Sequence, residues 1–167
     1  KGTTIPFKYN DLDEITQIVR ANPDLGVIKM EVTRNMGPDE GYLEGIRKLC
    51  NQNNIVLIFD ECTSGFRETF GGLHKKYNVE PDLAIFGKTL GNGYAVTSVI
   101  GRKNVMEAAQ STFISSTFWT ERIGPTAALK TLEIMKRDKS WNTITEKGKK
   151  VRDGWIKLSE EYNIPIS

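Results

Sequence analysis

Short apolar runs alternate with amphipathic segments through the first hundred residues of the chain. The run Ile55–Phe59 is continuously apolar, which is typical of a strand covered on both faces in a parallel sheet. Similar runs predict strands over 26–32 (ending near Glu31), 83–86 and 95–100. Periodic apolar positions predict helices over 11–21 (capped by Asn10), 39–53, 102–109, 121–137 and 141–162. This alternation of strands and helices predicts an α/β layered fold.

Composition narrows the possible functions only slightly. The 167 residues carry a net charge of +2 with acidic and basic residues interspersed, which gives no electrostatic case for binding nucleic acid or a membrane. Cys50 and Cys62 lack metal-ligand spacing, so we expect a reducing, cytoplasmic setting. The chain begins and ends inside apparent elements, and we expect it to be a fragment of a longer protein.

Two polar residues stand at the ends of neighbouring apolar runs. Asp60 follows the first run, and Lys88 lies in a glycine-rich loop after the second. The carboxyl ends of neighbouring parallel strands face one crevice, so these two side chains are expected to meet there. A carboxylate that holds a protonated ring nitrogen and an amine that forms a Schiff base are the groups that pyridoxal phosphate chemistry requires.

The same segments allow two other interpretations, a nucleotide hydrolase and a purely structural role. Ile55–Glu61 resembles the magnesium-binding strand of a nucleotide hydrolase, but the matching phosphate loop needs a glycine where Asp82 stands. The purely structural interpretation makes Asp60 and Glu61 strand-end caps and Lys88 a surface amine. Separately, His74 has no second ligand or triad partner nearby in sequence, and we expect it to be a surface helix residue. The joint occurrence of the acid and the lysine at two strand ends favours a functional site.

The segment Asp60–Arg67 resembles the Asp-Glu-Val-x-x-Gly-Phe-Arg signature of class III aminotransferases, and 81–93 resembles the lysine segment of the same family. The segment Glu31–Gly37 resembles the glutamate-1-semialdehyde aminomutase branch. The resemblance implies an incomplete fold-type-I large domain, a mostly parallel sheet with helices on both faces. On this basis 1–137 belongs to that domain, and 138–167 forms a helix leading into a C-terminal small domain.

The resemblance also assigns roles to four residues. Lys88 is implied as the catalytic lysine that forms the internal aldimine with pyridoxal 5'-phosphate and then moves the substrate proton. Asp60 is implied to pair with the pyridine nitrogen, Cys62 to lie against one face of the ring, and Thr117 to reach the cofactor phosphate of the neighbouring subunit.

The implied reaction is amino transfer between an amino donor and an aldehyde or ketone, catalysed by a homodimeric aminotransferase or 2,1-aminomutase. We expect the fragment alone to be inactive, because the family's phosphate loop and ring-stacking aromatic lie upstream of this segment. Glu121 departs from the family pattern and leaves the substrate open. The alternative is a catalytically inactive partner subunit that retains the fold.

Overall fold

The computed structural model describes residues 2–115, 117–118 and 120–166. Four strands form one sheet in the order β1-β2-β3-β4; the first three are parallel, and β4 runs antiparallel to β3. The strands are β1 (Val27–Glu31), β2 (Val56–Asp60), β3 (Leu83–Phe86) and β4 (Ser98–Gly101). The helices are α1 (Leu12–Ala21), α2 (Tyr42–Asn53), α3 (Lys103–Met106), α4 (Ile123–Asp138) and α5 (Ser140–Tyr162).

The register of the parallel strands brings their carboxyl ends to one edge. Glu31 pairs with Asp60 across β1 and β2, and Asp60 pairs with Ile85 across β2 and β3. The chain leaves β3 two residues before Lys88. The expected meeting of strand ends at one edge is therefore present in the fold.

The two faces of the sheet are covered unequally by the described residues. Alternate strand residues on one face are buried, and helices α1, α2 and α4 supply side chains to the cores on that face. These strand residues are Ile28, Met30, Leu57, Phe59, Ala84 and Phe86. The intervening residues of β2, including Ile58 and Asp60, remain partly exposed, so the prediction that β2 is covered on both faces is wrong for this part of the chain. The described helices that contribute to the core clusters pack against the face that carries Leu57 and Phe59.

Most predicted elements are confirmed within a few residues, but two boundaries differ for local reasons. Asp11, and not Asn10, caps α1, because its Oδ1 accepts the Glu14 N–H at 2.9 Å. Asn10 instead bonds to the turn before α2, donating to the Gly37 carbonyl and accepting from the Asp39 N–H. That helix begins three residues later than predicted, after a left-handed residue at Gly41.

The last helix carries the predicted apolar stripe, but the described residues do not bury it. Trp141 packs against Phe70 with ring centroids 5.5 Å apart. The stripe residues Ile144, Val151, Trp155 and Leu158 are exposed. An amphipathic pattern predicts the helix correctly, whereas burial depends on what packs against it.

The prediction of a surface position for His74 is wrong. His74 is buried in a short 3₁₀ helix (Leu73–Tyr77), and its ring Nδ1 lies 2.8 Å from Glu61 Oε1. The fully buried Glu61 carboxylate also accepts the backbone N–H groups of Leu73 and His74, each at 3.0 Å, and the Ser64 hydroxyl. Burial alone would raise the pKa of Glu61, but these hydrogen bonds outweigh it and hold the pKa below its ordinary value of 4.5.

Replacing Glu61 tests this anchor. In Glu61→Gln an amide N–H group faces the buried donors, so we expect the full-length protein to lose about 3 kcal/mol of unfolding free energy. Glu68→Gln removes a carboxylate from an exposed ion pair with Lys76 and should cost less than about 0.5 kcal/mol. Urea unfolding of both variants measures the difference.

The pH dependence supplies a second check on the same variant. A carboxyl group whose pKa is lowered by folding stabilises fully above its unfolded pKa of about 4.5 and loses this contribution as the pH falls through its folded pKa. The stability gap between wild type and Glu61→Gln should therefore narrow below about pH 4.5. A gap that stays constant through that range would show that Glu61 does not act as a carboxylate.

Candidate active site

Asp60 and Lys88 enter the site from adjacent strands. Asp60 is the last residue of β2, where alternation directs its side chain to the less covered face. Lys88 follows β3 and Gly87 and begins a short 3₁₀ turn. Lys88 has a φ of +45°, in the left-handed region that side chains other than glycine rarely adopt. Such a conformation costs free energy, and its occurrence at this residue marks the loop as a functional candidate.

The Lys88 amine points back toward the turn that follows β2. Its Nζ donates a hydrogen bond to Thr63 Oγ1 at 2.6 Å, across 25 residues of sequence. Arg67 Nε in turn donates to the Thr63 carbonyl oxygen, so Arg67 orders this loop. The loop after β2 and the loop after β3 are thereby joined through the lysine.

The side chain of Cys62, in the loop after β2, faces the loop after β3. A Cβ atom placed on Gly87 would approach Cys62 Sγ and Thr97 Cγ2 to 3.3 Å each, so a glycine suits this close passage. The pKa of the Cys62 thiol is raised, first by burial and then by the Asp60 charge. A thiol that stays protonated at neutral pH acts as a small apolar packing group.

The Asp60 carboxylate has two fixed partners. Lys29 Nζ lies 2.8 Å from Oδ2, and the Cys62 N–H donates to Oδ1 at 3.2 Å. The pKa of Asp60 is lowered, chiefly by the hydrogen bond from Lys29, which outweighs the opposing effect of burial; the Cys62 N–H adds to the lowering. Asp60 is therefore ionised at neutral pH and is able to bind a cationic ring N–H.

Thr117 is the fourth residue that the resemblance assigns to the cofactor. It is exposed in a turn, and among the described residues no hydrogen bond joins it to Asp60, Cys62 or Lys88. Ser116 and Trp119, close to it in sequence, lie outside the described residues. The assignment of Thr117 to a phosphate in another subunit stays a prediction.

Two residues of this site were missed by sequence reasoning. Lys29 pairs with Asp60 and Thr63 with Lys88. The period-two pattern of 27–31 places Lys29 on the same face as Glu31, a signal from which Lys29 could have been found. Glu31 itself forms an ion pair with Arg34 at 3.1 Å. Nothing in the local sequence indicates the contact of Thr63.

The described residues also bear on metal binding and on membrane spanning. The described residues contain no group of three or more histidine, cysteine, aspartate or glutamate side chains placed to hold a metal ion. Among the described helices, none combines the length and apolar character needed to span a bilayer.

The family model for Aminotransferase class-III matches residues 33–166. The chain belongs to the class III aminotransferase family. Membership of this family indicates pyridoxal phosphate as the cofactor. The matched range contains Asp60, Cys62, Lys88 and Thr117, the four residues that the sequence analysis assigned to the cofactor site.

Two curated relatives extend this finding. The chain is 41% identical over 169 residues to the 3-aminobutyryl-CoA aminotransferase of Cloacimonas acidaminovorans, which covers 96% of this chain and 41% of that protein. It is 36% identical over 171 residues to the glutamate-1-semialdehyde 2,1-aminomutase of Citrifermentans bemidjiense, with coverages of 98% and 40%. The chain thus spans about two fifths of the length of these relatives.

Solved structures agree on the fold. The FumI protein of Sphingopyxis sp. MTA144, solved in its PLP internal aldimine form, superposes with a TM-score of 0.89 at 23% identity. The match covers 95% of this chain and 40% of that one. Ornithine aminotransferase from Plasmodium yoelii superposes with a TM-score of 0.73, also at 23% identity, over 83% of this chain and 38% of that one. The predicted fold class, an incomplete fold-type-I α/β domain, is confirmed.

Proposed function

We propose that the full-length protein catalyses pyridoxal-phosphate-dependent amino transfer, with Lys88 as the catalytic lysine. The observation that carries the proposal is the convergence of Asp60, Cys62 and Lys88 at one sheet edge in a member of this family. An ionised carboxylate, a close-packed thiol and a primary amine are the groups that fit the ring nitrogen, the ring face and the aldehyde of this cofactor.

In this proposal the amine of Lys88 moves the substrate proton. When bound, pyridoxal phosphate supplies an electron sink that stabilises negative charge on the substrate α-carbon. The four-carbon stem of Lys88 begins in the strained loop, and its amine is held by a single hydroxyl, that of Thr63. Release from Thr63 leaves the amine able to accept a proton at the substrate α-carbon and return it to a neighbouring carbon.

Asp60 holds the other end of the cofactor. Its lowered pKa keeps the carboxylate charged, so it can accept a hydrogen bond from a protonated ring nitrogen. A paired, partly desolvated carboxylate is fixed before the ligand arrives, which reduces the ordering cost of binding.

The substrates are a small-molecule amino donor and an aldehyde or ketone acceptor. The names of the two curated relatives fit both an aminotransferase and an aminomutase for this chain. Among the described residues, Cys50 and Cys62 are free thiols, which supports a cytoplasmic setting.

We also propose that the protein is a homodimer, that 1–137 belongs to the cofactor domain, and that 138–167 leads into a smaller one. The exposure of Thr117 supports a role in contacting a second subunit. The exposed apolar stripe of α5 is consistent with further protein packing against that helix.

Borohydride reduction tests the catalytic lysine. The full-length protein is mixed with pyridoxal phosphate, reduced, digested and mapped by mass spectrometry. We expect a pyridoxyl group on Lys88, because Lys88 is exposed and its amine contacts Thr63. Thr63 follows Cys62, whose N–H donates to Asp60. The adduct at this position should be absent in Lys88→Ala and unchanged in Lys76→Ala, whose amine pairs with Glu68 instead.

The same measurement separates an active aminotransferase from the alternative, an inactive partner subunit. A folded wild-type protein in which Lys88 stays unmodified contradicts the aminotransferase proposal and favours the inactive partner subunit. A Lys88 adduct together with turnover of an amino donor excludes that alternative.

Hybrid dimers test the proposed reach of Thr117 between subunits. A dimer of one Thr117→Val subunit and one Lys88→Ala subunit has one fully native site only if Thr117 serves its partner's site. We expect the Thr117→Val subunit of this hybrid to bind cofactor with the affinity of wild type. The Thr117→Val homodimer should bind about tenfold more weakly, because a hydrogen bond to a charged phosphate is lost.

Fluorescence titration of tagged, separated hybrids gives both affinities. Equal weakening in the hybrid and in the Thr117→Val homodimer would contradict an intersubunit role. A protein that remains monomeric at micromolar concentration would contradict the dimer itself.

A further inference from the structure

Lys29 is a charged residue of the site to which the proposed mechanism assigns no role. It lies on β1, in register with Ile58, two residues before Asp60 on β2. Its side chain therefore runs along the sheet toward the carboxyl edge, where Nζ lies 2.8 Å from Asp60 Oδ2. The contact spans 31 residues of sequence and joins two strands directly at the candidate site.

The contact leaves room for a ligand on Asp60. An ionised carboxylate offers about four acceptor positions on its two oxygens. One is taken by Lys29 on Oδ2 and one by the Cys62 N–H on Oδ1. The remaining positions can accept a ring N–H while both existing hydrogen bonds persist.

We propose that Lys29 is a positioning residue that fixes the orientation of the Asp60 carboxylate and keeps it ionised for the cofactor ring nitrogen. The inference rests on the proposed function. Lys29 does not touch the reacting atoms in this account; it acts through Asp60.

The charged groups around Asp60 support this assignment. Glu31 extends from β1 beside it, and Cys62 and Lys88 belong to the loops after β2 and β3. Of these groups, Lys29 has the largest effect in lowering the pKa of Asp60, and its own pKa is raised first by the same hydrogen bond. Both directions indicate an ion pair that favours the charged forms of both partners.

Exposure sets the expected size of the effect. The Lys29 side chain is 54% exposed and that of Asp60 is 25% exposed. Solvent screens such a pair, so its loss should weaken cofactor binding by about three- to tenfold at neutral pH and should not abolish it. The acid limb of the binding curve should also move to higher pH, because Asp60 without Lys29 is protonated more easily.

The chain offers a matched control for this test. Lys76 Nζ lies 2.8 Å from Glu68 Oε2, and its side chain is also 54% exposed. Full-length apoprotein carrying Lys29→Met, Lys29→Arg or Lys76→Met is titrated with pyridoxal phosphate between about pH 3.5 and 8, and bound cofactor is followed by its absorbance. An aspartate carboxyl group ordinarily titrates near about pH 3.9, so this range includes the acid limb of the binding curve.

Each outcome bears on the proposal. We expect weakened binding and a shifted acid limb in Lys29→Met, near wild-type behaviour in Lys29→Arg, and no change in Lys76→Met. A Lys29→Met protein that matches wild type across the pH range overturns the inference and leaves the proposed function intact. A folded wild type that binds no cofactor overturns both. If Lys29→Met does not fold, Lys29→Gln replaces it and is judged by the same curves.

Discussion

The buried Glu61 carboxylate is the interaction on which the candidate site depends. It accepts two backbone N–H groups of the Leu73–Tyr77 turn, the His74 ring and the Ser64 hydroxyl, and thereby closes the loop that follows β2. Asp60 and Glu61 are consecutive at a strand end, so the chain directs one carboxylate to the less covered face and the other into the core. The covered face anchors the loop, and the less covered face presents the residues that we propose bind the cofactor.

The strand register adds the second constraint. Parallel pairing of β1, β2 and β3 fixes Lys29, Asp60 and the loop of Lys88 along one edge, and no single strand could do this alone. Three contacts result. The Lys29 ammonium pairs with the Asp60 carboxylate, the Cys62 N–H donates to the same carboxylate, and the Lys88 amine donates to the Thr63 hydroxyl. Each ionised or reactive group is held by a neighbour from a different segment, which orders the site before the cofactor arrives.

Sequence reasoning predicted that the ends of β2 and β3 meet at one sheet edge, because strand ends have strong local signals. A short apolar run followed by Asp60, and another followed by a glycine and Lys88, predicts both position and proximity. The burial of His74 and the pairing of Lys29 depend on contacts across 13 and 31 residues, which local patterns do not encode. Asn10 illustrates the same limit, since a good capping residue was used instead to bond a turn far along the chain, and Asp11 took the cap.

We propose that Asp60, Cys62 and Lys88 bind one cofactor between them. A crystal structure of the full-length protein, reduced with borohydride in the presence of pyridoxal phosphate, tests it most directly. We expect a pyridoxyl group on Lys88 Nζ, with its ring against Cys62 and its ring nitrogen about 2.7–2.9 Å from an Asp60 carboxylate oxygen. A pyridoxyl group on another lysine, or a ring nitrogen that faces away from Asp60, would contradict it.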